Sequence, residues 1–200
     1  MNMRRICVFC GSSMGNSLAY REAAEALGLF IAANEIGLVY GGARVGLMKV
    51  LADTVLNQQG EVIGVMPQLL INKEVAHDGL SRFVVVESMA ERKAQMLELS
   101  DAFIALPGGF GTLDELSEIL TYNQLHITDK PLGLLNINGY FDRLLAFIDH
   151  GVEEGFVREE HRLNLIVSND IETLVSQMEA YQPVGLGKWI SDIHTESNNR

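Results

Sequence analysis

Short runs of apolar residues, many of them β-branched, alternate along the chain with longer segments whose apolar positions recur at a helical spacing. Ala23, Leu27 and Phe30, for example, belong to one apolar stripe that follows a strand-like run. The strand-like runs are residues 5–10, 37–40, 61–66, 83–86, 101–106, 131–137 and 164–168. The helix-like segments are residues 17–34, 47–59, 88–100, 107 to about 125, 140–151 and 171–178.

This alternation predicts βαβ units, because short buried strands joined by helices form a parallel sheet with helices on both faces. Fully apolar runs such as FVVV at 83–86 fit parallel strands, which are buried on both sides. We therefore expect one α/β domain over residues 1–181, built on an open parallel sheet, and a polar C-terminal tail over residues 182–200 that includes Trp189. The carboxyl ends of the strands would share one edge, where such sheets bind ligands.

Composition and charge narrow the range of partners. The chain has 200 residues, 48% hydrophobic and 20% charged, which excludes the disordered and low-complexity classes. A formal net charge of −11 argues against a nucleic-acid groove, although oriented amides could still capture a small phosphorylated ligand. The apolar run near the N-terminus is too short for a signal peptide, and no run is long enough to span a membrane. We expect a cytoplasmic protein with no nucleic-acid or membrane partner.

The two cysteines, Cys7 and Cys10, have the CxxC spacing of redox and zinc sites. They lie inside a strand-like run, where an odd spacing sends the two side chains to opposite faces of the sheet. The sequence holds no second pair that could complete a metal site. We interpret both as small buried apolar residues.

Eight of the 19 glycines fall in three loops, each of which follows a predicted strand and precedes a predicted helix. The loops are GSSMG at 11–15, GGARVG at 41–46 and PGGFG at 107–111. Glycine allows close backbone approach, and helix N-termini direct free N–H groups towards an anion. The three loops together predict a phosphate-binding cleft.

A steric role remains an alternative for each loop, because turns from strand to helix need glycine for conformational reasons alone. The loops match neither the dinucleotide fingerprint GxGxxG nor the P-loop GxxxxGK[ST]. The chain also lacks GxSxG, so a serine-nucleophile hydrolase has no support.

Two helix starts bring charge to this edge of the predicted sheet. Ser88-x-x-Glu91 predicts a capping box, with Arg92 and Lys93 in the first two turns of the helix that follows. Cations there oppose the helix macrodipole, which hints at an anionic ligand between them, although exposed basic residues on helices are common. A second capping-box pattern ends at Glu115, which could therefore be structural or catalytic.

Five segments in the same order resemble the LOG (Lonely Guy) family of cytokinin riboside 5′-monophosphate phosphoribohydrolases. They are VFCGSS at 8–13, GLVYGGARVGLM at 37–48, VMP at 65–67, MAERK at 89–93 and PGGFGTLDE at 107–115. KPLGLLNINGYFD at 130–142 extends the resemblance to about residues 4–180. It implies a Rossmann-like fold, a homodimer without a cofactor, and hydrolysis of AMP-like nucleotides to a free base and ribose 5-phosphate. The family is also labelled lysine decarboxylase, but nothing in this sequence marks a lysine that would bind pyridoxal phosphate.

The resemblance also implies roles for individual residues. Arg92 and Glu115 correspond to the pair that the family regards as catalytic. The phosphate loop would comprise Gly108, Gly109, Gly111 and Thr112, and the further substrate contacts would be Glu74, Lys93 and Thr121.

The sequence departs from the family pattern at Ala43, at Lys49 and in the segment TYNQLH at 121–126. These changes spare both catalytic motifs, so they concern the preference for the base more than the reaction. Glu74, Asp114 or water could protonate the leaving purine. A non-catalytic nucleotide or phospho-cofactor carrier and a broad nucleoside-monophosphate nucleosidase remain alternative functions.

Overall fold

A computed structural model describes residues 3–71 and 76–183. The strands are β1 (Arg5–Phe9), β2 (Gly37–Tyr40), β3 (Val62–Pro67), β4 (Arg82–Val86), β5 (Ala102–Ala105), β6 (Leu132–Leu135) and β7 (Leu165–Ser168). The helices are α1 (Leu18–Ala33), α2 (Gly46–Asn57), α3 (Gln68–Ile71), α4 (Met89–Leu99), α5 (Phe110–Gln124), α6 (Asp142–Glu153), α7 (Glu159–Arg162) and α8 (Ile171–Glu179), with a 3₁₀ turn at Ile137–Gly139.

The described strands form one parallel sheet in the order β4-β3-β2-β1-β5-β6-β7. The chain winds from β1 to β4 in one direction and then returns to continue from β5 on the other side of β1. The strand order therefore reverses between β1 and β5, and open α/β sheets bind ligands at such a switch point. The predicted Rossmann-like α/β fold is confirmed.

Two apolar layers cover the sheet, one on each face. Alternate residues of β1 point into different layers: Ile6 and Val8 pack with α1 and α2, whereas Cys7 and Phe9 pack with α4 and α5. Cys10 lies in the first layer and Cys7 in the second, as their odd spacing predicts. Both thiols are free and buried, and burial raises their pKa values well above that of an ordinary thiol.

The sequence pattern missed three short elements: α3, α7 and the 3₁₀ turn. Each has three or four residues, which is too short for a helical repeat of apolar positions to become visible. The 3₁₀ turn contains Asn138 and Gly139 at positive φ, at 52° and 65°. Such a turn depends on local backbone geometry rather than on a hydrophobic stripe.

Some predictions lie outside the described residues. They concern Glu74, Trp189 and the tail, so the boundary between a domain at 1–181 and a tail at 182–200 stays a prediction. In residues 3–71 and 76–183, no helix is long and apolar enough to cross a membrane.

Candidate active site

A cavity of about 230 Å³ lies at the switch point of the sheet. The loop after β1, the loop after β2 and the first turn of α5 form its walls, and α4 contributes one side chain. It is lined by Val8, Phe9, Cys10, Gly11, Ser12, Gly41, Ala43, Met48, Met66, Leu70, Arg92, Gly109, Phe110, Gly111, Thr112 and Glu115. All three glycine-rich loops therefore meet at this edge, and 11–15, 41–46 and 107–111 each contribute to the lining.

A buried ion pair, Arg92 with Glu115, joins α4 to α5 in this cavity. Arg92 Nη1 donates to Glu115 Oε1 at 2.9 Å, and Arg92 Nε donates to the Val65 carbonyl of β3 at 3.1 Å. The two side chains are only 11% and 8% exposed. These two hydrogen bonds, to acceptors on different elements, fix the orientation of the Arg92 guanidinium. The Glu115 carboxylate that it binds is therefore also fixed.

Burial raises the pKa of the Glu115 carboxyl above its usual range, because the charged form loses its hydration. The charge and hydrogen bond of Arg92 act in the opposite direction and keep this rise smaller than burial alone would cause. Asp114, the preceding residue, adds a smaller upward effect on this pKa. Glu115 is thus a carboxyl with two opposing influences, one from desolvation and one from its partner.

Helix α4 begins as the sequence predicts. Ser88 Oγ accepts a hydrogen bond from the Glu91 amide at 3.1 Å. Glu91 completes the cap by accepting the amide of Glu87, one residue earlier than in the standard capping box. The cap fixes the start of the helix that carries Arg92.

The basic side chains in the first two turns of α4 form ion pairs with acidic side chains of α5. Arg92 pairs with Glu115, and Lys93 pairs with Asp114 at 3.2 Å and with Glu118 at 3.1 Å. The protein's own carboxylates therefore relieve the unfavourable interaction with the α4 dipole that the sequence indicated. This conflict does not require a ligand.

The predicted capping box from Thr112 to Glu115 is wrong, because α5 begins three residues earlier than a cap at Thr112 would place it. Gly109 is the N-cap, and the Leu113 amide donates to its carbonyl at 3.1 Å. The amides in the first turn of a helix have no acceptor within the helix, so those of Phe110, Gly111 and Thr112 are available at the cavity. Glu115 lies in the second turn, where its side chain can reach Arg92.

The glycines of the PGGFG loop have different roles. A Cβ on Gly108 would overlap the Thr112 hydroxyl, so the close packing of the loop requires glycine there. A Cβ on Gly109 or Gly111 would meet no described protein atom within 4 Å. Both residues line the cavity, so the backbone there is open to the approach of a bound group.

The remaining predicted substrate residues are not brought together with the pair. Lys93 does not line the described cavity and is occupied by the two carboxylates of α5. Thr121 lies further along α5, where its hydroxyl donates to the Ser117 carbonyl and its side chain lines a different groove. Glu74 lies outside the described residues.

Sequence reasoning missed several lining residues that carry no polar signal. Met48 and Met66 form part of the apolar wall, and Phe110 lines the cavity although its side chain is 92% exposed. Gly41 has a steric role, because a Cβ there would collide with the Arg92 guanidinium and the Met48 methyl group. The one signal that the sequence offered for these residues was a phenylalanine placed between two glycines. The others depend on tertiary contacts.

The described side chains provide neither a cluster of metal ligands nor a lysine at the cavity for a cofactor bound as a Schiff base. Residues 3–71 and 76–183 contain no group of three or more histidine, cysteine or acidic side chains placed to hold a metal ion. No lysine is found among the described residues that line the cavity. A pyridoxal phosphate group, which needs a lysine to bind covalently, does not fit this lining.

The fold and the cavity define a Rossmann-like α/β protein with a helix N-terminus and a buried acid–arginine pair at its switch point. A family model described as "Possible lysine decarboxylase" matches residues 48–178. A probable cytokinin riboside 5′-monophosphate phosphoribohydrolase of Oryza sativa subsp. japonica is 49% identical over 181 residues, which is 90% of this chain and 80% of that protein. A cytokinin riboside 5′-monophosphate phosphoribohydrolase of Arabidopsis thaliana is 47% identical over 180 residues, 90% of this chain and 84% of that protein. The chain belongs to the LOG family, which confirms the resemblance.

Solved structures with lower identity share the fold. The molybdenum cofactor binding protein from Rippkaea orientalis superposes with a TM-score of 0.66 at 23% identity, covering 90% of this chain and 98% of that chain. The molybdenum cofactor carrier protein from Chlamydomonas reinhardtii gives a TM-score of 0.66 at 21% identity, with 90% and 99% coverage. At this identity the likeness shows a common architecture only.

We expect Arg92→Leu to destabilise the protein by about 3–5 kcal/mol, because the buried Glu115 carboxylate loses its partner. Without Arg92 the pKa of Glu115 rises further, so in the folded state the carboxyl takes up a proton at a higher pH than in the unfolded chain. In this variant the folded-state pKa of Glu115 is higher than its unfolded-state pKa. The loss of unfolding free energy is therefore smallest at pH values below the unfolded-state pKa, and it grows as pH rises through the folded-state pKa. Urea unfolding at mildly acidic and mildly alkaline pH measures both effects.

The matched control is the double variant Arg92→Leu/Glu115→Leu, which removes both charges. It should be more stable than Arg92→Leu alone at mildly alkaline pH, because no unpaired carboxylate remains. Equal stability of the single and double variants at both pH values would contradict the interpretation that burial of an unpaired charge causes the loss.

Proposed function

We propose that this protein hydrolyses the N-glycosidic bond of AMP-type nucleoside 5′-monophosphates, including cytokinin riboside 5′-monophosphates. The products would be the free base and ribose 5-phosphate. The observation that carries this proposal is the position of the Arg92–Glu115 pair in the same cavity as the open N-terminus of α5. Relatives that are 44–49% identical over about 90% of the chain are named as cytokinin riboside 5′-monophosphate phosphoribohydrolases, which supports the same reaction.

The phosphate would bind at the first turn of α5. Amides of Gly109, Phe110 and Gly111 can donate to phosphate oxygens there, and the positive end of the helix dipole favours an anion. The open space beside Gly109 and Gly111 supports this assignment. Gly108 and Thr112 would shape the loop, because the Thr112 hydroxyl lies in the space that a Cβ on Gly108 would occupy. This binding mode needs no basic side chain on the loop.

Glu115 would act on the sugar. As the base departs, its nitrogen takes the electron pair of the C1′–N bond, and positive charge develops on C1′ and the ring oxygen. A carboxylate fixed beside C1′ stabilises that charge and can accept a proton from the attacking water as the C1′–O bond forms. Arg92 remains protonated, so its proposed role is to hold Glu115 and to contact substrate rather than to donate a proton.

The proton for the leaving base has three proposed sources: Asp114, Glu74 and water. Asp114 is more than half exposed, its carboxylate pairs with Lys93, and it contributes no atom to the lining of the cavity. Lys93 would then influence the substrate through this pair. This arrangement favours water or Glu74 over Asp114 as the donor.

A panel of nucleotides tests the proposed reaction. The purified protein is incubated with AMP, other nucleoside 5′-monophosphates and N6-isopentenyladenosine monophosphate, and the free base is measured by chromatography. We expect base release from AMP-type substrates, and we expect Glu115→Gln to lower kcat by about 10²- to 10⁴-fold while nucleotide binding is retained.

Glu98→Gln is the matched control, because it removes the same charge from an exposed position on α4. Its kcat should equal that of the parent protein. Binding of AMP without release of adenine by the parent protein would contradict the proposal and favour a nucleotide carrier. Undiminished turnover by Glu115→Gln would contradict the role of Glu115.

The acid side of the pH profile reports the protonation of Glu115. Because burial raises the pKa of this carboxyl above the usual 4.5, the group loses its charge at a higher pH than an ordinary glutamate does. We expect kcat/KM to fall on the acid side with an apparent pKa above 4.5, since only the carboxylate stabilises the developing cation. Circular dichroism at each pH distinguishes this loss from unfolding, and a flat profile down to pH 4.5 would contradict the prediction.

We also propose that the protein is a homodimer that uses the surface between α5 and α6. A groove there is lined mainly by apolar side chains, among them Leu120, Phe147 and Val157. Phe147 is 72% exposed and nearby Leu163 is 70% exposed, so considerable apolar surface is uncovered in the single chain. Thr121 lines this groove, so in such a dimer it would lie at the interface rather than in the cavity of its own subunit.

Phe147→Glu tests the dimer, because a charge in an apolar interface is strongly unfavourable. We expect sedimentation velocity to show a dimer for the parent protein and a monomer for the variant at the same concentration. Leu29→Glu is the control, since Leu29 is also exposed but lies on α1, at the opposite face of the sheet. A dimer that persists in Phe147→Glu would contradict the proposed interface.

A further inference from the structure

A second cavity of about 270 Å³ is also lined by the PGGFG loop and by the loop after β1. It shares Gly11, Ser12 and Gly109 with the cavity that contains the ion pair. Its wall includes the Tyr20 and Tyr140 rings, which meet edge to face with centroids 5.7 Å apart. The PGGFG loop therefore contributes to both cavities, of which one contains the ion pair and the proposed phosphate site and the other contains the two tyrosines.

Tyr140 makes a direct contact with the PGGFG loop. Its hydroxyl donates a hydrogen bond to the Gly108 carbonyl at 2.5 Å, across 32 positions of sequence. This distance is within the range of O–H···O hydrogen bonds. Tyr140 contributes no atom to the lining of the first cavity, so any effect of Tyr140 on a ligand there must pass through the loop.

The peptide plane links this bond to the ligand side. In a trans peptide the C=O and the following N–H point in opposite directions, and none of the described peptide bonds is cis. The Gly108 carbonyl is directed at Tyr140, which lines the second cavity and not the first, so the N–H of Gly109 is directed away from Tyr140, and Gly109 also lines the cavity that contains the ion pair. The preceding carbonyl, that of Pro107, accepts the Gly11 amide at 3.1 Å. Two consecutive carbonyls of the loop are thus bound by protein donors.

Local hydrogen bonds hold Tyr140 in this position. Asn136 accepts the Phe141 amide at 2.8 Å and donates to Asp142 at 2.7 Å, which closes the turn after β6 around Tyr140. The Tyr140 ring also packs edge to face on Phe141, with centroids 4.9 Å apart. Because the ring is fixed by these contacts, the hydroxyl can restrain a flexible glycine peptide.

We propose that Tyr140 is a positioning residue for phosphate binding. Its hydroxyl holds the Gly108–Gly109 peptide in the orientation that directs the Gly109 N–H towards the phosphate of the nucleotide. A Gly–Gly peptide has many accessible orientations, and without the restraint this amide would not be preorganised for an anion. The identity of the anion as a nucleotide phosphate rests on the proposed function.

Tyr140→Phe tests this role, because it removes the hydroxyl and keeps the ring that packs against Tyr20 and Phe141. Binding of AMP and of ribose 5-phosphate is measured by titration calorimetry in a Glu115→Gln background, where turnover does not interfere. We expect both affinities to fall about three- to tenfold, the usual effect of one hydrogen bond. Binding of adenosine, which lacks the phosphate, should change by less than twofold. In the active enzyme, KM for AMP should rise while kcat stays within about twofold.

Tyr181→Phe is the matched control. It also removes a tyrosine hydroxyl that makes a hydrogen bond, in this case to Asn164 at 3.0 Å beside β7. This variant should bind ribose 5-phosphate and AMP as the parent protein does. Thermal unfolding of both variants shows whether either substitution acts through general destabilisation.

Two results would overturn the proposal. One is an unchanged affinity for ribose 5-phosphate in Tyr140→Phe, and the other is an equal loss of affinity for adenosine and AMP. Failure of the proposed function would look different, because the parent protein would then release no base from any nucleotide in the panel. The calorimetric comparison uses binding alone, so it remains decisive in that case.

Discussion

The candidate site depends on the burial of one carboxylate, that of Glu115, against the guanidinium of Arg92. Burying a single charge would be strongly unfavourable, and the pair is tolerated because Arg92 also donates to the Val65 carbonyl. This arrangement connects β3, α4 and α5 through two nitrogen atoms of the Arg92 side chain. Gly41 belongs to the same arrangement, because any larger residue would occupy the space of the guanidinium.

The loop before α5 shows how the protein can bind an anion despite a net charge of −11. The carbonyls of Pro107 and Gly108 are occupied by protein donors, so the backbone presents N–H groups to the cavity. Lys93 is neutralised by carboxylates of α5. Recognition of a phosphate would therefore rely on oriented amides and the helix dipole, which are local and independent of the overall charge.

Apolar side chains also line the cavity. Met48 and Met66 contribute flexible side chains to it, and such side chains adapt to ligands of different shape. Ala43 lines the same cavity at a position where the family pattern has glycine. Under the proposed function, the departure at Ala43 would concern the preference for the base more than the reaction.

The sequence by itself determined the order of strands and helices along the chain and the opposite faces of the sheet to which the Cys7 and Cys10 side chains point. It also determined that the glycine loops meet at one edge of the sheet. These features follow from the periods of the elements and from the geometry of parallel sheets, which are properties of local sequence. Only the tertiary structure decided that Glu115 faces Arg92 rather than capping α5, and that Tyr140 holds the glycine loop. Such contacts join residues 23 and 32 positions apart, and their distances depend on how helices pack, which no local pattern records.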